Sequence, residues 1–288
     1  AAYLYLIPAF IGLIVLTYIP LIAVFGLSFF KWGGTGTPEW NGINNYIKLF
    51  TTDPYFKESI KVTVYFSLLA VIGSMVYSLI VAMLLNRKIP ARGFFRAVFY
   101  LPYVLPAAAV YIGWSWLYNT EWGLFNYILS KLGIERLMFV SSSSQVVPSL
   151  ALIAVWLSGN LIVIFLAGLQ NVPRVYHEAA EIDGANAWQR FWHVTFPSMT
   201  PIIFYNMLMS LITNMQVVTP ALALTKGGPG KSSYFMSYML YNYAFKQRGK
   251  IGLACAIAFV LFLLIGAFTL VLFATSKSWI FYEGGDDK

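Results

Sequence analysis

The chain has 288 residues, of which 59% are hydrophobic, 18% aromatic and only 10% charged, and its mean hydropathy is +0.70. Soluble domains average about 25% charged residues, so the composition argues against a soluble enzyme, a disordered chain and a nucleic-acid-binding domain. The excess of 19 Lys+Arg over 11 Asp+Glu is expected to sit in loops and at lipid headgroups, and a single Cys255 with no Cys/His cluster gives neither an internal disulfide nor a metal site.

A helix needs roughly 20 mostly apolar residues to cross the hydrocarbon core. Six stretches meet this, at about 1–30, 62–85, 97–118, 146–170, 200–225 and 251–276. The first has no basic start and a run about twice the usual 7–15-residue signal-peptide core, so it reads as a span. Because backbone groups in lipid must be satisfied within their own segment, the expected fold is an all-α membrane protein, a polytopic bundle of six transmembrane helices making one domain over 1–288. Ala109/Gly113 and Gly252/Ala256 have the spacing of close helix–helix contacts, or are small residues of the kind common in membrane helices. Pro102, Pro106, Pro201 and Pro220 predict kinks in the third and fifth spans. Trp32, Trp40, Trp122 and Trp279 are expected as interfacial anchors, and the tail from Glu283 to Lys288 as a solvated end.

Charge leaves the orientation open. With the N-terminus inside, the loop from Asn86 to Arg96 carries Arg87, Lys88, Arg92 and Arg96 and no acid, as the positive-inside rule asks. The whole tally runs the other way, with eight Lys/Arg on inner segments and eleven on outer loops. A basic segment ahead of Ala1 would restore the balance.

The loop 171–199 reads Asn171-Val-Pro-Arg-Val-Tyr-His-Glu-Ala-Ala-Glu-Ile-Asp-Gly and continues through Trp188, Phe191 and Trp192 to Pro197. Pro173 suits the first turn of a helix and Gly184 its stop. Ala179 and Ala180 keep one face slim, while Glu178, Glu181 and Asp183 make the short helix acidic. Two readings follow: a helix–turn–helix on the membrane surface presenting an acidic knob, or an amphipathic loop held by an Arg174–Glu178 pair. His177 and His193 read as loop residues.

Glu178-Ala179-Ala180, three residues, Gly184, nine residues, Val194, one residue and Phe196-Pro197 resembles the EAA signature of bacterial ABC importer permeases, with Val for Ile and Phe for Leu. Asn41-Gly42-Ile43-Asn44-Asn45-Tyr46, Asp53-Pro54-Tyr55-Phe56, Phe94-Phe95-Arg96, Gly123-Leu124-Phe125-Asn126 and Thr225-Lys226-Gly227-Gly228-Pro229 resemble, in order, patterns of the carbohydrate-type permeases, nearest the maltose-type, oligosaccharide subgroup. The resemblance implies a cytoplasmic coupling-helix loop in which Glu178, Ala179, Ala180, Asp183, Gly184 and Pro197 serve ATPase coupling. It also implies a multi-pass chain in the bacterial cell membrane with both termini cytoplasmic. Implied partners are a second homologous permease subunit, two ATP-binding subunits that hold ATP and Mg, and an extracytoplasmic sugar-binding protein docking on Trp32–Ser59 and Lys226–Lys250. The chain itself needs no cofactor and is not an enzyme.

None of the six stretches contains Asp, Glu, Lys, Arg or His, whereas ion-coupled carriers are marked by intramembrane ionisable groups. No phosphate loop is present either: Gly227, Gly228 and Gly230 lack the G-K-[ST] ending at the right spacing. A sugar path needs neutral hydrogen-bonding groups and aromatic faces. Asn206, Ser210 and Asn214 lie at i, i+4, i+8, and Trp156 and Asn160 at i, i+4; with Tyr103 these are the candidate path residues, or they are interhelical hydrogen bonds. For Ser210, Asn214 and Asn160 the resemblance itself implies a path role, because sugar contacts in maltose-type permeases lie at comparable distances from the EAA loop. Competing readings are an ABC permease for another solute such as a glycerol phosphate ester, a self-sufficient secondary carrier and, more remotely, a membrane-embedded enzyme.

Overall fold

The computed structural model describes residues 2–247 and 249–281, so the expectation for Glu283–Lys288 lies outside the described residues. The chain is a helical bundle whose β-structure, among the described residues, is one two-residue hairpin pairing Phe30–Lys31 (β1) with Glu39–Trp40 (β2). Helices α1 (Ala2–Leu13) and α2 (Ile19–Leu27) are joined by a π turn over Ile14–Tyr18. Together they form an apolar rod with no buried residue across the window of its Tyr5–Leu27 stretch. A helix apolar all round with no core of its own belongs in lipid or against another chain.

The central helix is α3 (Phe56–Asn86). Asp53 starts it, its Oδ1 accepting from the Tyr55 and Phe56 amides at 2.9 and 3.0 Å, and satisfying donors that a helix start leaves free. The other carboxylate oxygen takes the Tyr243 hydroxyl. Burial, reinforced by that bond and by the Asp53 charge, pushes the Tyr243 pKa well above the usual tyrosine value. Along α3 the residues Ser59, Thr63, Ser67, Ala70, Ser74, Ser78 and Ala82 are all buried, a small-residue stripe at steps of three and four that lets neighbours approach closely. A Cβ on Gly73 would come within 2.7 Å of Val155 Cγ2.

Of the six expected spans, three are single runs long and apolar enough to cross a bilayer: Tyr5–Leu27, Phe56–Asn86 and Ile251–Ser276 (α11 hereafter). The third and fourth are broken. Helices α4 (Arg92–Val104) and α5 (Ala107–Leu117) meet at 100°, and α6 (Val146–Trp156) and α7 (Gly159–Asn171) at 50°. The third stretch is therefore two helices with a sharp bend between them in place of one kinked helix: Pro106 offers no N–H, and Leu105 before it is extended (φ −70°, ψ 145°), as a residue preceding proline prefers. After α7 come α8 (Arg174–Ile182), α9 (Ala187–Arg190), a π segment Phe191–Thr195, and α10 (Phe196–Met215). The fifth stretch thus ends as a helix at Met215, ten residues short of the expected limit, and a separate π turn occupies Ala221–Thr225 behind Pro220.

The small-residue expectations divide. Gly252 and Ala256 are buried, and a Cβ on Gly252 would collide with the Phe30 carbonyl oxygen. Ala109 and Gly113 are exposed, with nothing within 4 Å of a Cβ on Gly113, so in this chain they form no helix contact. The contact at Gly252 is fastened by Asn45, whose Nδ2 donates to the Ser28 and Phe30 carbonyls at 2.8 and 2.9 Å, and by the Gly252 amide donating to Trp32 O at 3.1 Å. Much of the segment expected as an outer docking loop is also core: Phe235, Met236 and Met239 are fully buried, and the Met236 amide donates to Thr63 Oγ1 at 2.9 Å. What remains exposed there is its rim, including Lys226, Gly230 and Phe245.

In a helix interior Gly→Ala normally stabilises by about 1 kcal/mol. Gly252→Ala should do the opposite, cutting the yield of monodisperse protein in fluorescence-detected size exclusion severalfold, while Gly266→Ala, with open space around it, should match or exceed the parent chain.

Candidate functional site

The two helix breaks converge on one cavity of about 490 Å³. Leu105 and Ala107 from the α4–α5 corner and Leu157 and Ser158 from the α6–α7 break line it, opposite α10. Non-helical backbone at membrane depth is tolerated where it is buried in protein or lines a cavity. Here Ser158 holds the break together: its Oγ donates to Val155 O at 2.6 Å and lies 2.9 Å from Ser78 Oγ of α3. A Cβ on Gly159 would meet the Phe99 carbonyl oxygen of α4 at 2.6 Å, so only glycine lets α7 start there.

Five of the six candidate path residues, Tyr103, Asn160, Asn206, Ser210 and Asn214, line this cavity. Trp156 does not. It packs edge-on to Trp114 with ring centroids 5.5 Å apart, because the break after it turns the i, i+4 relation to Asn160 away from a common face. Asn206 and Asn214 donate their Nδ2 groups to the carbonyls one turn back, Ile202 and Ser210, both at 2.8 Å, which leaves their carboxamide oxygens to accept. The Asn160 side chain makes no hydrogen bond to another described group. Tyr205, Met209 and Thr213, a second i, i+4, i+8 row beside the first, also line the cavity, as do Ser74 and Tyr111. That row was visible as Tyr and Thr at the same spacing, and Ser74 as part of the α3 serine repeat. No Asp, Glu, Lys, Arg or His is among the lining residues.

The 171–199 loop forms a second feature. Pro173 precedes α8 in extended conformation, and Asp183 ends it. Gly184 follows at φ +77°, with its amide donating to Glu181 O at 3.0 Å and that of Ala185 to Ala180 O at 2.9 Å. This pair of bonds around a left-handed glycine is a Schellman stop. Asn186 then caps α9 through a reciprocal pair with Gln189, at 2.9 and 2.8 Å. The ion pair that braces the turn is Arg190–Glu181; the alternative pairing Arg174–Glu178 is not formed, since the Schellman turn folds α9 back onto Glu181. Glu178, Ala179, Asp183 and Gly184 are exposed, Ala180 and Pro197 half-buried. Val175 and Ile182, on the same α8 face as Ala179, are 67% and 86% exposed, an apolar strip on an otherwise acidic helix that the sequence reading passed over. His193 Nδ1 lies 3.0 Å from Gln189 O, and no group of three or more metal-ligating side chains occurs among the described residues.

A family model described as the inner membrane component of binding-protein-dependent transport systems matches residues 74–278. A probable ABC transporter permease protein, YesP of Bacillus subtilis, is 35% identical over 100% of this chain and 94% of its own length. The multiple sugar-binding transport system permease protein MsmF of Streptococcus mutans is 35% identical over 96% of this chain and 94% of its own. A crystal structure of a bacterial alginate ABC transporter, in complex with an alginate pentasaccharide-bound periplasmic protein, contains a chain that superposes with a TM-score of 0.80 at 20% identity, covering 96% of this chain and 94% of that one.

Nothing lies within 4 Å of a Cβ on Gly184, so the cost of replacing it is backbone strain, about 1–2 kcal/mol, and not bulk. Gly184→Ala and Gly184→Leu should therefore speed proteolytic nicking of the 183–190 turn alike, by roughly tenfold, with Gly184→Asn intermediate; a graded response to side-chain size would refute the strain account.

Proposed function

Since the chain belongs to the family of binding-protein-dependent transport system inner membrane components, we propose that it is a permease subunit of an ATP-driven sugar importer, forming half of an oligosaccharide path and receiving its drive through the 171–199 loop. The observation that carries the reading is the cavity at the meeting of two broken helices, lined by amide, hydroxyl and tyrosine groups and by no ionisable Asp, Glu, Lys, Arg or His.

Such a surface suits a neutral saccharide. Sugar hydroxyls both donate and accept, and the Asn206 and Asn214 amides, whose Nδ2 groups are bonded to backbone carbonyls, have oxygens left to accept. The rings of Tyr103 and Tyr205 offer apolar faces for pyranose C–H groups. A phosphate ester or a uronate would need a cation that this half of the path lacks and that would have to come from the second permease. A self-sufficient carrier would need a coupling group within the bundle, and none lines it.

In the proposed cycle the α8 helix seats in a cleft of a separate ATPase subunit, and the exposed Val175–Ala179–Ile182 face is the surface that contact would cover. Since α9, the π segment and α10 run on without a break from Ala187 to Met215, movement of the turn would tilt the helix that carries Asn206, Ser210 and Asn214. The N-terminus is then cytoplasmic, the two ATPase subunits and a second permease complete the complex, and an extracytoplasmic sugar-binding protein delivers substrate to the outer face.

Proteoliposomes holding the assembled transporter test this. Asn214→Leu should lower uptake of the neutral oligosaccharide by roughly tenfold, the cost of about 1–3 kcal/mol for an unmatched polar contact, with subunit assembly and ATPase recruitment unchanged. Loss of assembly would make Asn214 a packing residue, and uptake by this chain alone, driven by an ion gradient, would overturn the reading.

A further inference from the structure

We propose that the basic corner made by Arg87, Lys88, Arg92 and Arg96 binds the phosphate headgroup of an anionic phospholipid at the base of the 171–199 loop; that this bears on coupling rests on the function proposed above.

The segment from Asn86 to Arg96 holds four cations and no acid. Where α3 ends, Arg92 Nε donates to Leu85 O at 2.5 Å. With its amide oriented to satisfy the network, Gln170 on α7 accepts from Nη2 of both Arg92 and Arg96 at 2.9 Å. Two full positive charges thus share the Gln170 oxygen, with Asn86 Oδ1 a further neutral acceptor for Arg92 at 3.4 Å, and Arg96 Nε is buried without an acceptor. The ion pairs among the described residues, Lys31–Glu39, Lys61–Glu58 and Arg190–Glu181, all lie elsewhere. Arg87 and Lys88, on the same short segment, are exposed. Two arginines drawn together, with two further cations on the same segment and no counter-charge, are stable only if an anion shares the site or water screens them fully. The second alternative fits poorly with the buried Arg96 Nε.

The same helix says which anion. Phe94, Val98 and Leu101 are exposed along one face of α4, at 65%, 45% and 57%, at steps of four and three residues. A helix with cations at its start and an exposed apolar stripe beyond lies with the stripe in the acyl layer and the cations at headgroup depth. A phospholipid supplies the phosphate and the chains together; inorganic phosphate supplies only the first. Gln170 is one residue from the end of α7, and Pro173 opens the next helix. A bound headgroup would therefore neutralise the arginine pair that holds α4 against α7, just before the turn.

Arg87→Gln/Lys88→Gln leaves the Gln170 bridge and the folded core intact. The assembled transporter, purified in mild detergent, would be examined by native mass spectrometry for retained phosphatidylglycerol against phosphatidylethanolamine. Basic residues at an anionic surface contribute about fivefold in affinity each, so the double variant should lose the phosphatidylglycerol preference by roughly tenfold or more. Excess inorganic phosphate should not displace the lipid from the parent complex. Equal retention in variant and parent, or displacement by inorganic phosphate alone, would overturn the proposal. Sugar uptake is not read in this assay, so its outcome stands apart from that of the path residues.

Discussion

A peptide group without a hydrogen-bond partner is affordable in water and costs several kcal/mol in hydrocarbon, and most irregular features of this chain answer to that constraint. Pro201 removes an amide from α10, and the carbonyl it would have used, that of Pro197, instead accepts from Thr200 Oγ1 at 2.7 Å. At the α6–α7 break the Val155 carbonyl takes both the Ser158 amide and its hydroxyl. Outside the bundle, buried Asn126 spends Nδ2 on the Thr120 and Leu137 carbonyls and Oδ1 on the Leu137 amide, closing a loop of some length with one side chain. In each case a short polar side chain supplies a partner that the main chain does not.

The cavity follows from the same economy. Three helices could pack as straight rods around α3, whose small-residue stripe invites close approach, and leave no room for solute. The 100° corner at Pro106 and the 50° break at Ser158 open space on the same side of α3, and α10 closes it with a face of amides and hydroxyls. Polarity there is not a defect tolerated by the bundle. The Nδ2 groups of Asn206 and Asn214 are tied to backbone carbonyls, which fixes the orientation of both amides as rotating water-exposed amides would not be fixed.

Much of this was legible in the chain. The hydropathy pattern marks the helices, the loop motif marks its own start and stop at Pro173 and Gly184, and the Asn206–Ser210–Asn214 row predicts one wet helix face. What the pattern could not convey was the size of a bend. Pro102 lies inside α4 and Pro106 ends it, yet both look alike as prolines in an apolar run; the difference is that Leu105 finds room to extend. Trp156 and Asn160 stand one turn apart in sequence but are parted by the break between them, so a helical-spacing argument fails where the helix does. The stripe on α3 was missed because serine reads as polar in a hydropathy scan, although its size is what the packing uses. The segment from Ser233 to Met239 was misplaced for the converse reason: flanked by lysines it reads as a loop, while its Phe, Met and Tyr side chains are buried core.

The turn at Gly184 and the cavity are joined by one uninterrupted helical run, and that continuity gives the proposed coupling a physical route. From Ala187 to Asn206 is about 30 Å of helix at 1.5 Å per residue, so in the proposed cycle the run would act as a lever between the loop and the cavity. The π segment Phe191–Thr195, just ahead of Pro197, is the natural place for that lever to yield. Yet Trp188, Phe191, Trp192 and Phe196 pack against one another there, with ring centroids 5.0–6.2 Å apart, and Ser198 Oγ bonds the Val194 carbonyl at 2.8 Å. The segment is stiffened on its surface by aromatic contacts and within by a side-chain bond, so in the proposed cycle a push at the turn would be passed along the helix instead of being absorbed at its weakest point. In the proposed cycle that stiffness would carry a displacement to α10, and the cavity would change shape by movement of α10 against the two fixed breaks, of which the α6–α7 break is held by Ser158.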